Sequence, residues 1–479
     1  MKKTTLLLLV AMLGLACKQE QKKVATTETA TETPKKITAP KVTSEMMESA
    51  VIYEANIRQY SKEGTFKAFT KDIPKLKELG VKIIWLMPVF PISEAKRKAT
   101  GDKFASDFPE AEREKYLGSY YAVADFKKIN PEFGTIDDFR ALVATAHEQG
   151  MYVILDWVPN HTGWDHTWIT THPDFYTKNA KGEITDPLNE DGTPVGWQDV
   201  ADLNYDNPEL RKTMIADMSY WITEEGVDGF RCDVAGSVPT FFWEEAIPQL
   251  RAKKDIFMLA EAWEPALLKD GLFDMGYAWD RHHAMNDIAA TKNTAADWDA
   301  AYSKDTARYE HNDILMNFVT NHDENSWNGT IDERMGPAWE TFTAMSYVIP
   351  GMPLIYSGQE YGLNHRLKFF EKDEIPHTQG KQWEVLAKLG TLKAQNKALN
   401  GGKMSAKYER LKSEDQVLMF AREKEGDKVI YLANLSKAPV TQLVELEGAY
   451  TDYMGGDALS KGSVTLELAP WEYKILVKK

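Results

Sequence analysis

Glu225-Gly-Val-Asp-Gly-Phe-Arg-Cys-Asp233 is a glycine, a short apolar run and a charged end, and the same phrase recurs along the chain. Leu79-Gly80 leads into Val81-Lys-Ile-Ile-Trp-Leu-Met-Pro88, and Gln149-Gly150 into Met151-Tyr-Val-Ile-Leu-Asp-Trp157. Ahead of the first of these, Phe66, Phe69, Ile73 and Leu76 fall at helical spacing. Further apolar runs at 256–263, 314–319 and 352–356 predict strands of the same kind. Helix and buried strand in alternation imply a parallel sheet covered by helices. Polar residues end many different strands, which points to a closed (β/α)8 barrel with its site at the carboxyl ends of the strands. An open doubly wound sheet is the alternative, but it would gather function at one crevice and often carries a Gly-rich phosphate loop, and the sequence has none.

The grammar breaks twice. Between His161 and about Asn207 the next helix is delayed by a stretch rich in Gly, Pro, Asn and Asp, which reads as a small domain of about 162–207 inserted after the third strand. From about residue 400 short strands and turns replace it, at 417–422, 428–435 and 464–477, predicting an antiparallel β-sandwich over 400–479. The barrel itself is expected over 46–399.

The amino terminus carries a different signal. Lys2 and Lys3 precede an apolar run from Leu6 to Ala16 that is too short for a permanent membrane span and stops at Cys17. With Gly14 and Ala16 before it, Cys17 resembles the acylated cysteine of bacterial lipoproteins, which implies a signal peptide over 1–17 and a protein anchored by lipid in the cell envelope, at the outer membrane. Cleavage nearby, giving a soluble secreted protein, is the competing reading. Residues 18–45 are Lys, Thr, Glu, Ala and Pro with almost no large apolar side chain, a composition that reads as a disordered tether.

Bulk composition narrows the partners. A net charge of −15 argues against a polyanion such as nucleic acid and leaves a neutral polymer open. Fourteen Trp and twenty Tyr exceed what packing demands, and flat rings suit ligands that offer alternating CH and OH surfaces. Two cysteines, Cys17 and Cys232, make no disulfide framework; Cys232 should face away from Arg231 and Asp233 and pack as an apolar residue.

Cleaving a glycosidic bond requires one carboxyl to protonate the leaving oxygen and another at the anomeric carbon. Arg231 and Asp233 are two apart on a strand and point the same way, so the guanidinium is expected to keep Asp233 ionised. Glu261, in Leu259-Ala-Glu-Ala-Trp263, ends the next strand in apolar company, where desolvation should favour a general acid. Asn321-His-Asp323 and Asp156-Trp-Val-Pro-Asn-His161 close two further strands. Each cluster alone could be an ion pair or a helix cap, but structural pairs have no reason to collect at one end of a barrel.

These four segments resemble, in order, the conserved regions of glycoside hydrolase family 13, the α-amylase family. The resemblance implies a retaining hydrolase of α-glucosidic bonds in starch-type glucans or maltooligosaccharides, with Asp233 as nucleophile, Glu261 as acid/base and Asp323 as the carboxylate that grips sugar hydroxyls. It implies substrate-binding roles for Tyr121, Asp156, His161, Arg231 and His322. No cofactor is implied for the chemistry, but the family often holds a structural Ca²⁺ between barrel and insert, with Asn160 and Asp202 as the matching ligands. Two segments depart from the family: Val234-Ala-Gly-Ser237 stands where many amylases have a Lys-His pair, and Val200-Ala-Asp-Leu-Asn204 lacks the residue that often separates subfamilies. Neopullulanase, cyclomaltodextrinase, α-1,6-glucosidase and transglycosylase activities therefore stay open, as does a non-catalytic starch-binding lipoprotein, which would tolerate loss of the carboxylates.

Overall fold

The computed structural model describes residues 40–189, 191–291 and 294–479; Cys17 and most of the expected tether lie outside them. Eight parallel strands close into a barrel: β1 (Ile52–Ala55), β2 (Ile83–Leu86), β3 (Tyr152–Trp157), β4 (Gly229–Cys232), β5 (Phe257–Ala260), β6 (Met275–Tyr277), β7 (Ile314–Asn317) and β8 (Met352–Tyr356). They follow one another around the ring in chain order, and β8 pairs back onto β1 through Ile52 and Leu354. The (β/α)8 expectation holds, and the open-sheet alternative falls with the closure. Six strands are those the apolar runs predict. β1 and β6 are additional, each only three or four residues long.

Local sequence explains the repeating phrase. The helix Ile136–Glu148 opens with a reciprocal cap, in which Thr135 Oγ1 accepts from the Asp138 N–H at 3.2 Å and Asp138 Oδ2 accepts from the Thr135 N–H at 3.0 Å. It buries Phe139, Leu142, Val143 and Ala146, one stripe at helical spacing. Gly80, Gly150 and Gly226 all have φ near +75°, the left-handed turn that stops a helix and sends the chain into the next strand.

Period-2 alternation then sorts the strand residues. Inward positions such as Ile52, Ile83, Ile154, Phe257, Leu259, Ile314 and Met352 fill the barrel interior, while outward ones such as Phe230 and Cys232 pack under the helices. Cys232 is fully buried there, as an apolar residue would be. The same inward faces continue to the carboxyl ends of the strands, where they turn polar: Ile52 is followed by Glu54, Ile154 by Asp156, Leu259 by Glu261, and Gly229 by Arg231 and Asp233.

The folded unit begins before residue 46. The short helix Ser44–Glu48 is capped by Thr43, and Val42 and Met47 join the apolar cluster inside the barrel. Tyr152 Oη donates to the Lys41 carbonyl at 2.9 Å. The expected tether over 18–45 is thus too long at its carboxyl end, because a single valine and a cap suffice to dock a segment whose composition reads as disordered.

After β3 the chain leaves the barrel. His161–Gly163 pairs antiparallel with Val200–Asp202, bringing His161 opposite Asp202, and the helix Pro208–Thr223 returns to the barrel layer behind an Asn207 cap. The carboxyl-terminal segment forms two antiparallel sheets. One runs in the order β9 (Lys407–Arg410), β10 (Val417–Lys424), β11 (Asp427–Asn434), β16 (Tyr473–Lys478), β13 (Tyr450–Asp452) and β14 (Ala458–Leu459); the other pairs β12 (Val440–Leu446) with β15 (Gly462–Leu468). Val417, Leu432, Val444, Leu468 and Leu476 form the core between them, and the opposite face, with Phe420, Tyr431 and Ile475, packs into the helix layer of the barrel.

Candidate active site

Arg231 organises the carboxyl end of the barrel. Its Nη1 donates to Asp156 Oδ1 at 2.8 Å and to Asp233 Oδ1 at 3.0 Å, and its Nε donates to Tyr277 Oη at 3.2 Å. Nη2 lies 2.7 Å from Glu261 Oε2 but off the hydrogen-bonding direction, so that contact is an ion pair rather than a bond. One guanidinium thus touches carboxylates from three neighbouring strands, its face toward the Trp85 ring at 4.9 Å.

The carboxylates outnumber the cations. Glu54, Asp156, Asp233, Glu261 and Asp323 face Arg231 and His322, and burial raises Glu54, Asp156 and Asp233 above the ordinary carboxylate range. Burial pushes Asp156 up to about 6 against the pull of Arg231. Burial also raises Asp233 well above the usual carboxylate range, reinforced by Glu261, Asp156 and Asp323. Arg231 was expected to hold Asp233 ionised by itself. It opposes the rise, but its charge is divided among three acids.

Two of the expected substrate-binding residues are placed beneath the cleft rather than in it. Asp156 and Arg231 have no exposed surface. Asp156 accepts from Trp85 Nε1 at 3.1 Å and Tyr121 Oη at 3.0 Å in addition to Arg231, so both of its oxygens are engaged by the protein. They contact the groups above them: Arg231 reaches Asp233 and Glu261, and Asp156 accepts from Tyr121.

The cleft itself has a volume of about 320 Å³ and is lined by Tyr121, His161, Asp233, Glu261, His322 and Asp323, with Trp197, Trp327, Phe369 and Phe370 as aromatic walls. The two histidines differ in charge. His161 is buried and pushed down to about 3, hence neutral, with the Asn160 amide 3.3 Å from its Nδ1. His322 is pushed up to about 9 by Asp323 and Glu54 in spite of its burial. Tyr121 stacks on His322 with ring centroids 5.5 Å apart. Val234, directly after Asp233, has φ +36° and ψ +46°, a left-handed conformation rare for a β-branched residue, and its N–H donates to Glu261 Oε2 at 2.8 Å.

Sequence reasoning missed Glu54, Trp85, Tyr277 and the aromatic walls. A glutamate inside the apolar run Val51-Ile-Tyr-Glu-Ala55 was the available signal for the first. The walls lie on loops, where no periodicity marks them. Asn160 and Asp202 do meet at one smaller cavity, together with Asn204 and Asp206. Among the described residues, however, no three His, Cys, Asp or Glu side chains converge as a metal cluster.

A closed parallel barrel with paired carboxylates at its carboxyl-terminal mouth, walled by aromatic rings, defines a glycoside hydrolase. The chain belongs to the α-amylase family: the family model for the alpha amylase catalytic domain matches residues 48–421. It is 26% identical over 426 residues to the alpha-amylase MalA of Haloarcula japonica, a match that covers 86% of this chain and 59% of the relative. It is 26% identical over 414 residues to a cyclomaltodextrinase of Thermoanaerobacter pseudethanolicus, covering 80% of this chain and 66% of that protein. Among solved structures, the noncanonic maltogenic alpha-amylase AmyB from Thermotoga neapolitana superposes with a TM-score of 0.78 at 26% identity, covering 90% of this chain and 98% of that one.

Proposed function

We propose that the protein hydrolyses α-glucosidic bonds in starch-type glucans or maltooligosaccharides by double displacement with net retention. Asp233 attacks the anomeric carbon while Glu261 protonates the departing oxygen; Glu261 then deprotonates the water that releases the sugar from Asp233. Asp323, partly exposed beside the cleft, grips sugar hydroxyls without forming the covalent bond. The observation that carries this reading is the shared guanidinium: the Asp233 and Glu261 carboxyls sit on the two Nη atoms of Arg231, and the Val234 N–H ties Glu261 to the residue after Asp233. Such closeness favours the gap of about 5 to 5.5 Å of a retaining pair over the roughly 6.5 to 9.5 Å of an inverting one. The mechanism requires Glu261 in its acid form and Asp233 ionised when substrate is bound. NMR of the first product decides the matter: an initial α-anomer supports retention, and an initial β-anomer overturns the roles of Asp233 and Glu261. Asp233→Asn should abolish turnover, and Asp323→Asn should slow it while oligosaccharide still binds.

The same intermediate can be captured by water or by a sugar, and the cyclomaltodextrinase relative favours tests on cyclic dextrins as well as starch and pullulan. Product profiles over time separate hydrolysis from transfer and 1,4 from 1,6 specificity.

For calcium, the residues offer one reason in favour. Burial pushes Asp202 up to about 6 and the nearby Asp186 reinforces it, so a cation at the cavity shared with Asn160 would relieve a buried acid. Those two side chains supply two oxygen donors of the six or more that Ca²⁺ takes, so backbone carbonyls and water would complete the shell. We also propose that Cys17 carries lipid and holds the enzyme at the outer membrane of a bacterial envelope, a reading supported by Lys2, Lys3 and the apolar run before it. Among the described residues no helix is long and apolar enough to cross a membrane.

A further inference from the structure

Beneath the cleft, on the inward face of β1, Glu54 has no exposed surface, and its Oε1 lies 2.5 Å from His322 Nδ1. Its Oε2 has no hydrogen-bond partner among the described residues, so His322 alone satisfies this buried acid. The other ring nitrogen, Nε2, is 2.8 Å from Tyr121 Oη and 3.3 Å from Asp323 Oδ2. Proton bookkeeping then fixes the ring. The single Tyr121 hydroxyl proton is donated to Asp156 Oδ2, so Tyr121 Oη can only accept from His322, and Nε2 must carry a hydrogen. At the other nitrogen, two acceptors 2.5 Å apart cannot both be bare, so one more proton lies between Glu54 and Nδ1.

We propose that Glu54 is a positioning residue for the hydrolysis described above: it holds His322 with Nε2–H turned toward Tyr121 and Asp323 and keeps a second proton on the ring, so that the histidine serves the cleft only as a charged donor. The role rests on that functional reading. The groups around the pair are Asp323 beside it, Tyr121 and Asp156 across the cleft floor, Arg231 from β4, Tyr277 from β6 and Tyr356 from β8. Burial and Arg231 oppose the charged ring, but Asp323 and Glu54 together outweigh them and place the balance on the side of the imidazolium. A cation at this point offsets part of the excess of carboxylates, and its donor reaches the cleft beside the carboxylate proposed to grip the sugar. A carboxylate that merely filled the barrel would not require a protonated partner.

The test is a pH titration of the full chain carrying ¹⁵N-labelled histidine, with the His322 signals assigned by their loss in His322→Asn. Wild type should show both His322 nitrogens protonated at pH 7 and a titration at least two pH units above the ordinary 6.5. In Glu54→Gln, which keeps the shape and a hydrogen bond but not the charge, the Nδ1 proton should be lost by pH 7 and the titration should fall by at least two pH units. The same variant should lose at least tenfold in kcat/KM on a maltooligosaccharide, with its alkaline limb moved to lower pH. Glu54→Asp, a second variant in case the first does not fold, should titrate between the two. A wild-type His322 that titrates near 6.5, or one whose titration is the same in the Gln variant, overturns the proposal. Wild-type enzyme inactive on every α-glucan would sink the hydrolase reading instead, and leave the titration arm to stand or fall by itself.

Discussion

Replacing Arg231 by methionine removes the only guanidinium among the described residues in contact with Asp156, Asp233 and Glu261, while keeping much of the side-chain volume. At an effective dielectric of 20, one unit pair about 4 Å apart is worth about 4 kcal/mol, and removing one partner of a buried pair typically costs about 3–5 kcal/mol. Against a typical folding stability of about 5–15 kcal/mol the variant should still fold. The sign of the pH effect follows from the acids left behind. Asp156 already stands at about 6 and burial raises Asp233 well above its ordinary range, and without Arg231 both rise again, while in the unfolded chain each returns to about 3.9. A carboxyl raised in the folded state lets the folded chain bind more protons, so stability grows as pH falls. The part of the loss that comes from these acids should therefore be small near pH 5 and grow as pH rises past about 6. Denaturant unfolding of both proteins at pH 5, 6, 7 and 8 measures it. Arg231→Lys should recover part of the stability but no activity, because one ammonium cannot span three carboxylates. A loss that is the same at every pH, or smaller than about 1 kcal/mol, would refute the claim that Arg231 balances the charge of the site.

Trp327 is half exposed beside Phe369 and Phe370, so Trp327→Ala should raise KM about 2- to 10-fold, the worth of an aromatic contact of about 0.5–1.5 kcal/mol, and leave the unfolding midpoint almost unchanged. Steady-state kinetics on maltooligosaccharides with a parallel melt checks both halves, and a large fall in melting temperature would mean that the ring serves packing instead. For calcium, Asp202→Asn should stabilise the protein at pH 8 in EGTA, because a raised buried acid penalises folding above its folded-state value, and should destabilise it in excess Ca²⁺. Identical melts with and without Ca²⁺ in wild type would remove the ion. Cys17→Ala should move active enzyme from the membrane fraction into the soluble one, and a variant that stays membrane-bound places the anchor elsewhere.

What was legible in the chain was whatever a period could carry. Helical spacing, left-handed glycines and apolar runs marked six of the eight barrel strands, and the charged ends of those runs marked Asp156, Arg231, Asp233 and Glu261. β6 escaped because three residues have no period, and β1 because its run is interrupted by Glu54, the residue that makes it interesting. The aromatic excess was visible as a count. Which rings reach the cleft depends on loops such as those bearing Trp197 and Phe369, whose course is set by tertiary contacts rather than by local propensity.

Depth within the barrel was the second thing the sequence could not express. Asp156 and Asp233 both lie on inward faces near the carboxyl ends of their strands, and alternation gives them the same standing. The structure separates them by about one layer: Asp156 is sealed under Trp85 and Tyr121, and Asp233 opens into the cleft. Backbone conformation adds a further distinction. Val234 adopts a left-handed turn that costs about 1–3 kcal/mol, in a place where glycine would avoid the strain. That turn aims its N–H at the Glu261 carboxylate, so a backbone donor directly after the proposed nucleophile holds the side chain of the proposed acid. The carboxylates are legible as letters; their division into floor and cleft, and the strain that couples two of them, arise only when neighbouring strands are brought side by side.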